Sequence, residues 1–414
     1  MILDVKTAYS ALAEELHTGL TTEKLVVEPG CLSGLDALCA QAGLSGPAAA
    51  VYDENTYRAA RGRRPKADWE VVLPPEGLHA DEHGAALLEQ RLRPGAAYLI
   101  AVGAGTVHDL TRYCASRRGI PFVSCPTAAS VDGFCSSVAA MTMHGAKKTI
   151  PAAAPKLVAA DPEIIAEAPA FLAASGFGDM MGKYIALSDW EISNILTGEF
   201  YCRAVAELMR EALELTAASA DGIGRHERPA VEKLTFGLLL SGVAMQLMGN
   251  SRPASGAEHH ISHMIEMRPE GLGLSSSALH GEKVGVGTIL ASGEYHRLAA
   301  CENPSWRDYT PYGAEELRAV YGEALAEELI QENRDDAASR LSPGLLAESW
   351  DAVREVVSRI PAPEKLRELY GRVHAMTEME ELGIPRTALP AILDCSPAVR
   401  NRLTLMRLRR CAGF

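Results

Sequence analysis

Over the first 165 residues, short apolar runs alternate with stretches whose apolar positions recur at helical spacing. That alternation is the signature of a parallel α/β sheet. The runs predict strands at 24–27, 48–52, 69–73, 97–102, 122–125 and 156–160, with helices over 32–42, from about 57, over 79–92 and from 107 to Gly119. Asp53, Glu54, Asn55 and Thr56 supply a polar turn with capping residues for the second helix. From about residue 163 the pattern changes to Ala-, Leu-, Met- and Glu-rich segments of helical period, at 164–174 (interrupted by Pro169), 180–197, 201–218, 229–248 and 314–333. More helical pattern follows the proline-rich break at 358–363. The expected architecture is an α/β Rossmann-like parallel-sheet domain over residues 1–162 and an all-α domain over residues 163–414, with no internal repeat.

Composition narrows the class. With 47% apolar and 22% charged residues in 414, the chain is globular and long enough for two or three sizeable cores. A net charge of −13 argues against nucleic acid as the main partner, because phosphate binding needs a clustered basic face. The most basic stretch holds Arg400, Arg402, Arg407, Arg409 and Arg410, and a solvated helix face or interdomain contact is expected there in preference to an anion patch. No basic flank followed by an apolar run opens the chain, so no signal peptide is expected. The longest apolar run, 236–248, is short and broken by glycine, which predicts a buried helix and no membrane span. Nine scattered cysteines with no Cys-x-x-Cys pair point to reduced thiols in a cytoplasmic protein and against a thiolate zinc site.

Candidate chemistry sits in five segments. Val-Gly-Ala-Gly-Thr-Val-His-Asp (102–109) joins a strand to a helix, and Gly103 and Gly105 would let backbone approach a phosphate at the helix start. The full dinucleotide fingerprint needs a third glycine where His108 stands, so a tight turn without ligand is the competing reading. Pro-Thr-Ala-Ala-Ser-Val-Asp-Gly (126–133) is either a second phosphate or ribose contact or a capped turn, and Asp53 either a ribose partner or an ordinary turn aspartate. Gly-Phe-Gly-Asp-Met-Met-Gly-Lys (176–183), Glu-His-His-Ile-Ser-His (258–263) and Leu-His-Gly-Glu-Lys-Val-Gly-Val-Gly-Thr (279–288) bring in Asp179, His259 and His280. One carboxylate and two imidazoles suit zinc, nickel or ferrous iron and leave a fourth position open.

Alone, each segment admits a plainer explanation. Asp179 after Gly178 reads equally as a helix N-cap, and Lys183 neutralises a substrate anion or pairs with Asp179. His259 and His263 share a helix face, so both ligate or one ligates while the other meets substrate. His260 points elsewhere, and the absence of His-Glu-x-x-His argues against a zincin protease. The glycines after His280 suit close helix packing. Together with the nucleotide loop, the set points to a metal-dependent dehydrogenase.

The same segments, in order from about residue 20 to 300, resemble the sn-glycerol-1-phosphate dehydrogenase family of the iron-type alcohol dehydrogenase, glycerol dehydrogenase and dehydroquinate synthase superfamily. The long helical tail looks like its bacterial branch. The resemblance implies a dehydroquinate synthase-like fold, with metal ligands Asp179, His259 and His280 and substrate contacts at Asp132, Asp179 and His263. Asp179, His263 and Lys183 become the catalytic candidates. Gly103, Gly105, Thr106, Val107, Asp109, Thr127, Ser130 and Ser136, with Asp53, become the NAD or NADP contacts. The metal implied is zinc or nickel before iron.

The reaction implied is reversible NAD(P)H-dependent reduction of dihydroxyacetone phosphate to sn-glycerol 1-phosphate. The rivals are a dehydrogenase of another polyol or phosphorylated carbonyl, a dehydroquinate synthase-like cyclase, and a non-catalytic nucleotide-binding protein. Lys147, Lys148, Lys183 and Lys283 are all candidates for the substrate phosphate. Asp53 favours NAD by repelling a 2′-phosphate, while Arg61, Arg63 and Arg64 lie close behind it. Residues 264–279, with two glycines and a serine run, depart from the family pattern, a difference that bears on the substrate more than on the chemistry. A homodimer is the default assembly.

Overall fold

A computed structural model describes residues 1–143 and 146–413, with Ala146 and Lys147 described in backbone only. The side chain of Lys147 therefore lies outside the described residues. Nine strands carry the first part of the chain: β1 (Ile2–Asp4), β2 (Lys24–Val27), β3 (Ala48–Asp53), β4 (Trp69–Leu73), β5 (Tyr98–Gly103), β6 (Phe122–Pro126), β7 (Val138–Met143), β8 (Ala146–Pro151) and β9 (Leu157–Ala160). Seven form one sheet in the order β1-β2-β9-β6-β5-β3-β4, parallel except for β1, while β7 and β8 pair antiparallel with each other. The six expected strands are all present. The edge strand β1 and the β7–β8 pair carry no periodic signal strong enough to have been expected.

Burial on both faces explains the near-continuous apolar runs of β3, β5, β6 and β9. Ala50, Tyr52, Ile100, Val102, Val123 and Cys125 feed the core on one face, and Ala49, Val51, Leu99, Ala101 and Phe122 the core on the other. The parallel register makes β3, β5 and β6 end at one edge, at Asp53, Gly103 and Pro126. In open α/β sheets that carboxyl edge is where ligands bind.

The chain divides into two compact units, Met1–Met180 with Leu208–Asn250, and Met181–Glu207 with Ser251–Phe414. This differs from the boundary expected at 162/163, which marks where the sheet ends. The helix Arg228–Met248 belongs with the sheet unit: Gly242 lies so close to Cys135 that an added Cβ would sit 2.5 Å from its side chain, and Gln246 bonds both Thr22 and the Cys135 carbonyl. Most of its apolar window, 78%, is buried, as expected of the run 236–248.

The second unit is built on one apolar core that includes Ile261, Met264, Val286, Tyr295, Trp350 and Leu405. Its described regular structure is helical, as expected, apart from a two-residue antiparallel ladder, Ser305–Trp306 with Ala412–Gly413. The single helix expected over 314–333 is two, Ala314–Tyr321 and Glu323–Glu332, because Gly322 takes φ 79° between them. Arg407 corrects the reading of the C-terminal arginines as a solvated face. Its guanidinium is fully buried on Asp336, Asn333 and the carbonyls of Pro397 and Arg400.

Candidate active site

In the first unit, the β5 turn leads into the helix Gly105–Arg118, whose N-cap, Ala104, has no side chain to satisfy the first amides. A Cβ on Gly103 would fall 2.6 Å from that of Val107, whereas a Cβ on Gly105 would meet only Val131 at 3.7 Å. Gly103 is thus needed for the turn itself, and Gly105 leaves the helix start open to an anion. Val107 is buried under the turn and offers only its backbone. Thr127 donates its N–H to the Gly103 carbonyl at 3.0 Å, bringing the two expected cofactor segments side by side.

His108, at the missing-glycine position, is a buried strut. Its ring nitrogens lie 3.0 Å from the Ala104 carbonyl and 2.9 Å from Ser124 Oγ, and its ring meets Phe134 edge-on. Burial, together with the Arg112 charge, pushes its pKa down to about 3. Asp109 pairs with the buried Arg112 at 2.8 Å, and Arg112 also bonds the carbonyls of Gly133 and Val138, so Asp109 acts through the scaffold of the 126–133 loop. Ser136 Oγ accepts from the Val138 N–H at 3.1 Å. Asp53 caps the helix Glu54–Ala59 in a reciprocal capping box with Thr56, the turn role weighed against ribose binding.

The helix Ala170–Met181 packs directly on the 126–133 loop. An added Cβ at Gly176 would stand 2.0 Å from the Ala129 carbonyl oxygen, and Ser175 Oγ donates to the Ser130 carbonyl at 3.1 Å. That contact brings Asp179 to Asp132, whose N–H donates to Asp179 Oδ2 at 2.9 Å while Ser241 Oγ donates to its carboxylate at 2.8 Å. Asp179 is fully buried near the end of its helix, which corrects the N-cap alternative.

In the second unit, His259 and His263 lie on the helix Ala257–Met267, and His280 opens the helix His280–Ala299. Gly287 allows these helices to touch: a Cβ there would be 2.7 Å from the Glu258 carbonyl oxygen. The three imidazoles form a triangle with ring centroids 5.4 Å (259–280), 5.8 Å (259–263) and 5.8 Å (263–280) apart.

Two carboxylates that sequence reasoning passed over hold this triangle. Glu258 Oε1 lies 2.6 Å from Nδ1 of His259 and also accepts the Gly256 N–H, while Glu266 Oε1 lies 2.9 Å from Nδ1 of His280. A carboxylate accepts, so in each ring Nδ1 carries the hydrogen and Nε2 keeps its lone pair, the arrangement that orients metal-binding histidines. Glu266 had a legible signal, since 259, 263 and 266 fall on one helical stripe; the Glu258 contact, between adjacent residues, had none.

Lys283 sits one turn after His280, with its ammonium 3.2 Å from Glu266 and donating to the Ala278 carbonyl. Burial, with His259 and His280 adding to it against Glu266, holds His263 well below its ordinary pKa. Lys183 is the buried first residue of the helix Lys183–Thr197. In the departing loop, Gly271 is pressed against the backbone of Ala319, where a Cβ would fall 1.8 Å from the carbonyl oxygen.

Residues 26–169 match the iron-containing alcohol dehydrogenase family. Over 417 aligned residues the chain is 33% identical to the glycerol-1-phosphate dehydrogenase [NAD(P)+] of Bacillus licheniformis, covering 97% of this chain and 92% of that one. The chain belongs to the glycerol-1-phosphate dehydrogenase family. It is also 31% identical to the enzyme of that name from Methanosarcina acetivorans, over 81% of this chain and 95% of the other. The family resemblance drawn from the motifs is borne out. Among solved structures, a probable glycerol dehydrogenase from Sinorhizobium meliloti superposes with a TM-score of 0.61 at 19% identity, covering 94% of this chain and 92% of its own. The sulfoacetaldehyde reductase of Bifidobacterium kashiwanohense gives 0.59 at 15% identity, over 92% and 91%. These likenesses bear on the fold, and they agree with the α/β-plus-helical class expected.

Proposed function

We propose that this chain reversibly reduces dihydroxyacetone phosphate to sn-glycerol 1-phosphate with NADH or NADPH, using a divalent metal held by Asp179, His259 and His280. The observation that carries the metal assignment is the pair of carboxylate–imidazole contacts, Glu258–His259 and Glu266–His280. They leave two Nε2 lone pairs on rings 5.4 Å apart, and Asp179 supplies a buried carboxylate. That donor set suits zinc, nickel and ferrous iron alike, and the preference for zinc or nickel rests on the family resemblance. When bound, such a cation polarises a carbonyl oxygen as a Lewis acid.

The chain's own residues do the rest. Gly105 and the first amides of its helix receive the cofactor diphosphate, flanked by Thr106, Thr127, Ser130 and Ser136. Asp132, held by Ser241, receives a substrate hydroxyl. His263, a neutral imidazole among the three rings, accepts and passes on the proton that accompanies hydride transfer. Lys183 and Lys283, both buried, are suited to the substrate phosphate. Arg63 pairs with Glu163 and Glu167, and Arg64 with Glu70, while Arg61 is exposed. All nine cysteines are free, which supports a reducing, cytoplasmic setting. A homodimer is the assembly we expect.

The test is NADH and NADPH oxidation with dihydroxyacetone phosphate, using chelator-stripped protein refilled with zinc, nickel or iron. Metal-dependent oxidation yielding the sn-1 product is expected. Cofactor binding without net oxidation would replace this reading with the other-polyol or the cyclase one.

A further inference from the structure

One carboxylate outside the ligand set gathers three elements of the second unit. Asp189, on the helix Lys183–Thr197, is fully buried. Its Oδ2 accepts the N–H of Ala257, first residue of the helix that carries His259, at 2.9 Å. Its Oδ1 accepts the Tyr295 hydroxyl at 2.7 Å, from the helix that His280 opens, and the Leu405 N–H at 2.9 Å, from the C-terminal segment. Tyr295 Oη in turn accepts the Met406 N–H at 3.3 Å.

The Ala257–Met267 helix needs this outside help. Its N-cap is Gly256, which has no side chain to offer, and a Cβ there would sit 2.7 Å from Asp189 Oδ2 and 2.9 Å from Glu258 Oε2. Asp189 thus caps the helix from a neighbouring element and complements its dipole. The preceding loop is bound to the same C-terminal segment. Arg402 donates to the Ser255 carbonyl at 2.8 Å, and Arg252 donates to the Leu403 carbonyl at 3.0 Å. Arg407 anchors that segment in the core.

We propose that Asp189 is a positioning residue for the metal centre, and that with Tyr295 it uses the C-terminal segment 402–406 as a clamp setting the start of the His259 helix. The inference rests on the metal reading above. In Asp189→Asn, one of the three hydrogens faces an amide NH2 instead of an oxygen, so the helix start shifts and Glu258 no longer aligns the His259 ring. Ligand orientation by outer contacts is typically worth 10–100-fold in metal affinity.

The experiment measures zinc and nickel affinity of the full-length protein by competition with a chromophoric chelator, alongside thermal unfolding of the metal-free form. Asp189→Asn is expected to weaken binding about tenfold or more, and Tyr295→Phe, which removes a single hydroxyl, about threefold. Arg409→Ala serves as control: its ion pairs are with Glu294 and Asp394, and it reaches the clamp through a weak contact to the Met406 sulfur at 4.0 Å, so it should leave affinity unchanged. If Asp189→Asn fails to fold, Tyr295→Phe with the control decides. Wild-type affinity in a folded Asp189→Asn or in Tyr295→Phe overturns the clamp, as does an equal loss in Arg409→Ala. A wild-type protein that binds neither metal overturns the metal reading instead.

Discussion

Glu266 Oε1 lies 2.9 Å from Nδ1 of His280 and 3.2 Å from the Lys283 ammonium, so one carboxylate both sets the imidazole tautomer and holds a buried cation beside it. Both consequences can be separated by substitution. Glu266→Gln keeps the size of the side chain but removes its charge. We expect metal affinity to fall about tenfold, by loss of ring orientation. The KM for the phosphorylated substrate should change as well, because Lys283 loses its counter-charge. Chelator competition and steady-state kinetics read the two separately, and unchanged metal affinity would remove Glu266 from the centre.

The two glycines of the nucleotide turn should part company. Gly103→Ala forces a Cβ to 2.6 Å from Val107, a steric conflict that repacking relieves at a cost of about 1–3 kcal/mol in stability. Gly105→Ala meets nothing closer than 3.7 Å, so its unfolding midpoint should hardly move while KM for the dinucleotide rises several-fold. Denaturant melts with cofactor titrations check both, and a Gly105→Ala enzyme with normal cofactor affinity would count against the loop.

Gly287→Ala probes the helix contact beneath the imidazole triangle. The added methyl would stand 2.7 Å from the Glu258 carbonyl oxygen, backbone that cannot swing aside. Stability should drop by about 1–3 kcal/mol, and metal affinity should drop with it because His259 and His280 are carried by the two helices forced apart. A variant as stable and as metal-loaded as the parent would contradict the packing.

Acid stability should carry the mark of His108. Its folded pKa is depressed to about 3 by burial, below the unfolded value of about 6.5. The neutral form is therefore favoured by folding, and its contribution is complete above pH 6.5 and lost as pH falls from 6.5 towards 3. One such site adds a slope of about 1.4 kcal/mol per pH unit in that window. Urea unfolding at pH 7.5, 6 and 5 should show a shallower fall in His108→Gln than in the parent.

The chain by itself determined a good deal. Apolar runs buried on both faces are recognisable without structure, so the six parallel strands and the glycine turn at 102–109 were legible. The histidine spacing of 259 and 263 placed both rings on one stripe, and the motif order pointed to the family. Other features depended on contacts between residues far apart. Whether Asp179 is a cap or an inward-facing carboxylate turned on the packing of Gly176 against Ala129, and the fate of Arg407 on Asp336. The helix 228–248 joined the sheet unit through Gln246 and Gly242, although its sequence pattern is that of any buried helix. Local periodicity reports which face of an element is apolar, but not what it packs against. The Glu266–His280 contact and the Asp189 cap join residues far apart in the chain that only the tertiary fold brings within 3 Å, and the Glu258–His259 contact depends on side-chain orientations that spacing does not report.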